Sequence, residues 1–409
     1  MYIKRNLEDK IIRYLEVPEI IAVVGSRQCG KTTMLRQIMD SLADTTSISF
    51  DDQNILGLFE KSPDDFISAY VKGRKYLFID EFQYAKHGGK TLKYIFDTQK
   101  IKIIISGSSV ADLTIHAIKY LVGRVLVVNL YPFDFREFLS YKDQSYLKLY
   151  NEYKNKLKLD EEKFLEISAP AHEKLLKYYE EYLVFGGYPR VVLEENTETK
   201  KEILKNIYNT YFLREVRDVL GLIDDYKLGV FIKGLALQTG NLIEYNELSN
   251  LTGYSYSSVK KYLNFLEKTY ICKLVRPFFK NKRTEIVKNP KVYFIDTGIR
   301  NTVINDFRSL ADRTDKGSIL ENGLAMQFIK QETTFNFWRD KKKNEVDFVL
   351  SLGNGKISAV ESKTSLKKGD RKPSEIFKKN YPEAKILFSY WNKNEKEVAK
   401  AGEYPIYLF

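Results

Sequence analysis

The segment from Gly25 to Thr32, which reads GSRQCGKT, constrains the fold of this chain more than any other. An unbroken apolar run from Ile20 to Val24 precedes it, and a helical pattern of apolar residues follows it. Such a run is typical of a strand that is buried on both faces of a parallel sheet. The glycines allow a tight turn, so that successive N–H groups and the amino end of the new helix point towards one anion. The segment therefore predicts an α/β domain with a parallel sheet.

The residue types inside this segment match the needs of a nucleoside triphosphate. In the pattern Gly-x-x-x-x-Gly-Lys-Thr, Lys31 reaches the β- and γ-phosphates, and Thr32 offers its hydroxyl to Mg²⁺. We therefore expect ATP to bind along this loop. The expected contacts are Gly25, Ser26, Arg27, Gln28, Cys29, Gly30, Lys31, Thr32 and Thr33. A glycine-rich turn without a ligand is the alternative, and the strand and helix on either side argue against it.

Two acids follow a second apolar run, which covers Tyr76 to Ile79. Neighbouring acids can simply cap a strand. After the loop described above, however, we expect Asp80 to hold Mg²⁺ through its water shell. Glu81 is then the expected catalytic base, which polarises the attacking water.

Two further residues are candidates for contact with the γ-phosphate. Ser106 ends a third apolar run, with Ser108 as the second choice, although an ordinary turn has the same composition. Arg124 follows this strand. It is either an arginine finger, acting in cis or from a neighbouring subunit, or a partner in a plain salt bridge.

The charge balance favours a polyanionic partner. The 409 residues carry a net charge of +12, which favours nucleic acid first and an acidic membrane surface second. A solvated basic face is the alternative. No segment resembles a secretory signal, and no apolar run approaches the roughly 20 residues that span a bilayer. The two cysteines and three dispersed histidines argue against a disulfide framework and a zinc site, so we expect a cytoplasmic protein without a membrane partner.

Two helical patterns in the stretch that begins at Ile243 are joined by a short turn that contains glycine. Leu248 and Leu251 are expected to lie on one face of the first helix, and Ser255 or Ser257 to cap the second. A hairpin rich in lysine and arginine follows, so this order predicts a winged helix-turn-helix. The expected DNA contacts are Lys260, Lys261, Lys282 and Arg283, with Lys280 in the same hairpin. A module that contacts only proteins is the alternative.

Four charged residues near the end of the chain form an ordered set. A helical pattern carries Glu321, one strand pattern carries Asp347, and the next carries Glu361 and Lys363. Carboxylates hold Mg²⁺ or Mn²⁺, the metal stabilises charge on a scissile phosphate, and a lysine helps to generate hydroxide. The set therefore predicts a metal-dependent nuclease centre with Glu321, Asp347 and Glu361 as ligands. Ordinary strand ends match the same short pattern, so a structural or DNA-binding remnant is the alternative.

These segments resemble the AAA-type P-loop ATPases of bacteria and archaea that carry a C-terminal domain of unknown function. The matching stretches are IKRNLEDKI, VVGSRQCGKTTML, YLFIDEFQ, IIISGSSV, GRVLVVNLYPFDFREF and VFGGYPRVVL. Where Cys29 stands, the family usually has a small residue. The resemblance implies ATP binding, ATP hydrolysis and a helical lid over the nucleotide. The acids near the end likewise resemble the PD-(D/E)xK nuclease core.

The expected fold class is α/β, with an AAA-like P-loop NTPase sheet followed by a helical lid, a winged helix-turn-helix and a restriction-endonuclease-like α/β domain. The predicted domains are 1–170, 171–222, 223–300 and 301–409. The predicted function is ATP-driven action on DNA, with ATP and Mg²⁺ as cofactors and Mg²⁺ or Mn²⁺ at the nuclease-like site. The alternative is an ATP-dependent switch that binds a protein partner and has an inactive nuclease-like domain. A homo-oligomer is compatible with either function.

Overall fold

The structure is a computed structural model, and it describes residues 2–108, 120–157, 159–163, 165–213, 225–279, 281–366, 371–392 and 400–409. The chain divides into two compact units. The first consists of Met1–Phe133 and Asn264–Ile271, and the second of Asp134–Leu263 and Cys272–Phe409.

A five-stranded sheet forms the centre of the first unit. Its strands are β1 Ile20–Val24, β2 Thr45–Ser49, β3 Tyr76–Asp80, β4 Lys102–Gly107 and β5 Val125–Asn129. They lie in the order β2-β3-β4-β1-β5, and all four neighbouring pairs are parallel. The helices described in this unit are α1 Glu8–Tyr14, α2 Lys31–Met39, α3 Gln53–Lys61, α4 Pro63–Tyr70 and α5 Gly88–Thr98. The predicted parallel sheet with flanking helices is confirmed.

Every residue of β1 is buried, as the apolar run predicts for a strand with neighbours on both sides. In the parallel register Val24 pairs with Gly107, and Ile79 pairs with Ile105. The carboxyl ends of β1, β3 and β4 therefore lie along one edge of the sheet. In an open parallel sheet this edge is where ligands bind.

The second unit begins with helices and a two-stranded sheet. The described helices are α6 Phe135–Lys142, α7 Gln144–Lys156, α8 Ala169–Phe185, α9 Pro189–Val192, α10 Thr197–Ile207, α11 Asp225–Leu237, α12 Tyr245–Thr252, α13 Tyr256–Lys268, α14 Lys282–Val287 and α15 Thr297–Ile304. The last residues of α13, from Asn264 onward, belong to the first unit. Strands β6 Cys272–Val275 and β7 Lys291–Phe294 pair antiparallel, and Leu242 forms an isolated bridge to Lys291. Within the described residues no helix is long and apolar enough to cross a membrane.

The predicted helix ends agree with the structure, and one other expectation does not. Gly253 ends α12 with φ 71°, a left-handed conformation that glycine adopts without strain, and Ser255 Oγ accepts from Ser258 N at 3.2 Å to cap α13. Leu248 and Leu251 lie on one face of α12, since both approach Gly234, although Leu251 is 54% exposed while Leu248 is fully buried. The connection between β6 and β7 also contains α14, which the hairpin pattern does not predict.

A second five-stranded sheet occupies the end of the chain. Its strands are β8 Phe335–Arg339, β9 Glu345–Ser351, β10 Ile357–Ser365, β11 Lys385–Asn392 and β12 Glu403–Pro405, and the accompanying helices are α16 Lys316–Lys330 and α17 Lys372–Asn380. The strand order is β12-β11-β10-β9-β8. Strands β8, β9 and β10 pair antiparallel, whereas β10, β11 and β12 pair parallel. The C-terminal part of the chain is therefore a mixed-sheet α/β domain.

An irregularity in the pairing of β8 with β9 changes which side chains share a face. Strict alternation predicts that Val346 lies on the same face as Phe348. Instead Asn336 pairs with Val349 and Trp338 with Val346, so β9 has one more residue than β8 in this interval. Val346 and Val349 consequently join one buried cluster around Phe377. The prediction for Val346 is wrong because a β-bulge adds a residue and interrupts the alternation at Asp347.

Candidate functional site

The loop between β1 and α2 is held in the shape that its glycines allow. A Cβ atom on Gly25 would lie 2.0 Å from Leu130 O, so no larger residue fits there. Gly30 has φ 97°, which favours glycine. Ser26 Oγ is buried and has no hydrogen-bond partner among the described residues. A cradle of backbone with a buried, unpartnered hydroxyl fits the oxygen atoms of a phosphate group.

Lys31 lies inside this cradle. Its side chain is buried, and Nζ donates to Gly25 O at 3.0 Å and to Ser26 O at 2.9 Å. Thr32 is half-buried and Thr33 is exposed at the start of α2. The structure thus places the ammonium beside the loop carbonyls, where it would meet the phosphates of a nucleotide.

Arg5 and Cys29 fix the loop from the side of the core. Arg5 is buried, and its Nη1 and Nη2 donate to Cys29 O at 2.7 Å and Tyr131 O at 2.6 Å. The Cys29 thiol is fully buried and donates to Leu130 O at 3.4 Å. Cys29 therefore presents only its backbone to the loop, and its side chain packs in the core.

The second part of the site lies at the ends of β3 and β4. Asp80 is buried and accepts a hydrogen bond from the Ser106 hydroxyl and another from Glu81 N at 3.1 Å. The amide of Gln83 donates to Glu81 Oε2, and Gln83 Oε1 accepts from Ser108 N at 3.4 Å. The parallel register therefore brings Asp80, Glu81 and Ser106 to the same edge as the loop.

The electrostatic surroundings of Glu81 suit a base at this edge. Burial is the largest effect and raises the pKa of Glu81, the Gln83 hydrogen bond lowers it, and the charge of Asp80 raises it. Lys31 and Arg27 also lower this pKa through their charges, so all four groups lie close enough to act on one carboxylate. A raised pKa makes Glu81 a better proton acceptor at neutral pH.

Arg124 is not brought to this edge. Its backbone O accepts from Ile20 N at 2.8 Å, at the amino end of β1, and its Nε donates to Asp97 Oδ1 at 3.0 Å. The length of β1 is about 16 Å at roughly 3.3 Å per residue, and it separates Arg124 from Gly25. Within its own chain Arg124 is thus a salt-bridge partner. Its role as an arginine finger stays a prediction that requires a second copy of the chain.

The acids of the C-terminal domain lie among buried cations. Lys291, on β7, is 1% exposed, and its Nζ lies 3.0 Å from Glu321 Oε1 and 2.6 Å from Glu345 Oε1. Tyr293 Oη, two residues further along β7, donates to the same Glu321 oxygen at 2.5 Å. We call Glu321, Glu345, Asp347 and Glu361 the acidic cluster.

The remaining acids of this cluster have partners on β10 and α17. Asp347 Oδ2 accepts from Ser362 N at 2.8 Å. Glu361 is buried and accepts from Lys363 Nζ at 2.9 Å and from Ser374 Oγ at 2.7 Å. The prediction that Glu361 and Lys363 share one side of their strand is confirmed by this contact.

Burial dominates the charge states here. It raises the pKa of Glu321 to about 7, with Lys291 acting to lower this pKa and Asp347 to raise it. It also raises the pKa of Glu361 to about 7, Asp347 adding to the rise and Lys363 opposing it. Burial acts to lower the pKa of Lys291, but the charges of Glu321, Asp347 and Glu345 raise it above its usual value. Within the described part of the chain, no group of three or more His, Cys, Asp or Glu side chains is placed to hold a metal ion.

The expected DNA contacts lie on α13 and α14. Lys260 and Lys261 are exposed, and Lys260 Nζ lies 4.5 Å from the centre of the Tyr256 ring. Arg283 is exposed near the start of α14. Lys280 and the side chain of Lys282 lie outside the described residues.

Sequence reasoning misses four residues of these sites: Arg5, Gln83, Lys291 and Glu345. Gln83 carries a local signal, because an amide two residues after the acids can reach back to them. The other three become visible only once separate segments pack together. Each is a charged residue in an otherwise apolar or mixed stretch, which by itself does not distinguish a buried partner from a solvated one.

Comparison with known proteins assigns families to three parts of the chain. Residues 17–139 match the family model described as an AAA domain, and residues 176–310 and 316–407 match models described as domains of unknown function, DUF8612 and DUF4143. These matches support an AAA-type P-loop ATPase domain followed by a C-terminal DUF4143 domain. The AAA match supports ATP binding and hydrolysis by the first of these, which we call the ATPase domain.

Several proteins resemble the whole chain at low identity. The uncharacterized protein MJ1544 of Methanocaldococcus jannaschii is 28% identical, over 88% of this chain and 77% of its own length. An uncharacterized protein of Haemophilus influenzae is 24% identical, over 97% of this chain and 95% of its own. Among solved structures, the Walker-type ATPase PABY2304 of Pyrococcus abyssi has a TM-score of 0.48 at 16% identity, and the match covers 74% of this chain and 96% of that one.

Proposed function

We propose that the ATPase domain hydrolyses ATP at the carboxyl edge of its sheet. The observation that carries this proposal is the placement of Lys31, Asp80, Glu81 and Ser106 along one edge by the parallel strand register. Mg²⁺, when bound, would neutralise charge on the phosphates, with the Thr32 hydroxyl and Asp80 as the residues that hold it. Lys31 would leave the loop carbonyls for the phosphate oxygens, and Ser106 would hold Asp80 in place.

Glu81 is the proposed base, and Gln83 is its positioning residue. The carboxylate accepts a hydrogen bond from Gln83, whose amide oxygen in turn accepts from the end of β4 through Ser108 N. Glu81 can therefore orient a water and accept its proton while its direction is set by a neighbouring strand. In this arrangement Gln83 acts through Glu81 and does not touch the nucleotide.

The second unit supports a DNA-binding winged helix as the output of this ATPase. Helices α11, α12 and α13, the bridge at Leu242 and the β6–β7 pair follow the order of that fold. Lys260 and Lys261 lie on the exposed face of α13, where a recognition helix presents its contacts. The net charge of +12 favours the same partner.

A protein partner is the second candidate for this output, and a specific observation favours it. Ile286 and Val287, at the end of α14, are 71% and 73% exposed. Adjacent exposed apolar side chains beside a basic helix suit a protein surface better than a phosphate backbone. Val287→Gln, which adds no charge, would weaken a protein complex and leave DNA affinity within about twofold.

The order α16, β8, β9, β10, α17, β11 supports a nuclease-like fold for the C-terminal domain. The mixed sheet has its antiparallel strands first and its parallel strands last, with Asp347 on β9 and Glu361 and Lys363 on β10. We propose this fold without assigning nuclease activity to it.

Steady-state ATP hydrolysis by the wild type and by Lys31→Ala tests the central part of the proposal. We expect the variant to lose at least about a hundredfold in kcat/KM, since its ammonium is the charge inside the loop. Lys86→Ala, an exposed lysine of the same domain, is the matched control and should keep the wild-type rate. Equal rates for the wild type and Lys31→Ala would refute the assignment of this loop.

A further inference from the structure

The acidic cluster already contains a cation that belongs to the chain. The Lys291 ammonium is buried on β7 and lies between Glu321, on α16, and Glu345, on β9. Both distances, 3.0 and 2.6 Å, are those of direct hydrogen-bonded ion pairs. The lysine thus joins two elements of the C-terminal domain at the point where the nuclease resemblance expects a metal ion.

The carboxylate oxygens of the cluster do not fit a divalent cation as they stand. Mg²⁺ and Mn²⁺ bind carboxylate oxygens that are free to converge at about 2.0–2.2 Å. Glu321 Oε1 instead accepts from Lys291 and from Tyr293. One oxygen of the first predicted ligand is therefore already held by two donors, one of which is a cation.

The predicted ligands on β9 and β10 are occupied in the same way. Lys363 Nζ donates to one oxygen of Glu361, and Ser374 Oγ donates to the other. Asp347 Oδ2 accepts from the backbone of Ser362. The metal assignment of Glu321 and Glu361 thus disagrees with the cationic partners of these two side chains.

We propose that the Lys291 ammonium takes the place of a divalent cation in the acidic cluster, so that this site is closed to metal ions. The proposal rests on the nuclease-like arrangement proposed above and does not depend on ATP hydrolysis. Lys291 lies against Glu321 and Glu345, Arg339 adds a second positive charge beside Glu345, and Lys363 lies against Glu361. The C-terminal domain is then held together by internal ion pairs at the position where a nuclease holds its metal.

A buried lysine in this position has a clear consequence for substitution. Removing one partner of a buried ion pair leaves an uncompensated charge, which is strongly destabilising. Replacement of Lys291 by an uncharged side chain removes the cation beside Glu321, whereas Glu345 keeps Arg339, whose Nη1 lies 3.5 Å from Glu345 Oε2. A divalent ion from solution is then the available means of compensation.

The test is a titration of nucleotide-free protein with Mn²⁺, in which free Mn²⁺ is measured by electron paramagnetic resonance. All proteins carry Asp80→Asn, so that the ATPase domain contributes no ligand. We expect the parent to bind no Mn²⁺ stoichiometrically. Lys291→Met should bind one Mn²⁺ per chain, with a Kd at least about tenfold lower than any weak binding by the parent. Lys291→Arg, which keeps the charge, should resemble the parent, and Glu321→Gln added to Lys291→Met should remove the gain.

Two results would overturn the proposal. One is binding of Mn²⁺ by the parent that is lost in Glu321→Gln or Glu361→Gln, and the other is a folded Lys291→Met that gains no Mn²⁺. If Lys291→Met does not fold, thermal unfolding of the parent with and without Mn²⁺ decides. We expect Mn²⁺ to leave the Tm of the parent unchanged. An increase in Tm with Mn²⁺ that disappears in Glu361→Gln would contradict the closed site. ATP hydrolysis by Lys291→Met without Asp80→Asn tests the ATPase proposal separately and should equal the wild-type rate.

Discussion

The chain contains two groups of acids near lysines, and they are built in opposite ways. In the ATPase domain, Asp80 and Glu81 accept hydrogen bonds from the neutral donors Ser106 and Gln83. The nearby Lys31 donates to backbone carbonyls. In the acidic cluster, by contrast, Lys291 and Lys363 donate directly to the carboxylates.

The difference teaches that the hydrogen-bond donor decides what a pair of acids can do. A neutral donor fixes the direction of a carboxylate and leaves its negative charge for a cation from solution. A lysine donor fixes the direction of the carboxylate and also supplies a positive charge that offsets its negative charge. Residue types alone do not distinguish the two cases, because both regions contain aspartate, glutamate and lysine.

The largest expected effect is on ATP hydrolysis and tests the role of Glu81 as the base. Glu81→Gln keeps the size and the hydrogen-bonding capacity of the side chain but removes the base, so kcat for ATP hydrolysis should fall by about 10²–10⁴. The Kd for ATP should stay within about threefold, since Lys31 and the loop are unchanged. Stopped-flow binding of a fluorescent ATP analogue and steady-state hydrolysis measure the two quantities. Wild-type turnover in Glu81→Gln would assign the base elsewhere.

A smaller effect concerns lysines that are exposed rather than paired with acids. Lys260→Ala with Lys261→Ala should weaken binding to duplex DNA about tenfold and lower the slope of log K against log salt by about 1.8, at roughly 0.9 per phosphate contact. The matched control is Lys174→Ala with Lys177→Ala on α8, where Lys174 also lies over a tyrosine ring, 4.8 Å from its centre. If the double variant on α13 had the same salt slope as the wild type, this surface would be assigned to protein contacts and not to DNA.

Gln83→Ala sharpens the role of the neutral donor. The Gln83 hydrogen bond lowers the pKa of Glu81, so its loss should raise that pKa further. Because the base acts when ionised, the acid limb of the pH–rate profile should move to higher pH, with kcat at pH 7 lower by about three- to tenfold. Gln83→Glu is not a suitable control because it adds a negative charge. Gln83→Asn keeps the amide but shortens the side chain, so it tests whether the amide must reach Glu81. If kcat fell by the same factor at every pH and the acid limb stayed at the same pH, Gln83 would have only a packing role.

The last prediction concerns stability in the acidic cluster. Glu361 has a folded pKa of about 7 against a usual value of 4.5, so the stability of its protonated form is present below pH 4.5 and lost as pH rises through 7. Wild type should therefore lose about 1–3 kcal/mol more than Glu361→Gln between pH 4.5 and 7.5 in urea unfolding. Glu173→Gln, an exposed acid of the same unit, should follow the wild type. Parallel curves for wild type and Glu361→Gln would show that burial does not control this carboxylate.

The ATPase domain is the part that the sequence predicts best. Its strand, loop and helix are contiguous, and parallel strands place their carboxyl ends together without any knowledge of side-chain contacts. The loop from Gly25 to Thr32 therefore identifies both the sheet and its functional edge. Arg5 escapes prediction because its partners, Cys29 and Tyr131, lie in distant segments.

The acidic cluster is harder to predict because its chemistry depends on packing between elements. Lys291 precedes Glu321 by 30 residues, and nothing local to β7 indicates that its lysine is buried against α16. The bulge at Asp347 and the helix α14 also depend on tertiary contacts that override simple periodicity. The motif of acids and lysine is visible in the sequence, whereas the partners that set its charge are not.

The stoichiometry of Mn²⁺ binding in the presence of a non-hydrolysable ATP analogue tests the comparison most directly. We predict one Mn²⁺ per chain, which Asp80→Asn removes and Glu361→Gln leaves in place. Two ions per chain, the second of them lost in Glu361→Gln, would contradict the account, because the acidic cluster would then hold a metal despite its lysines.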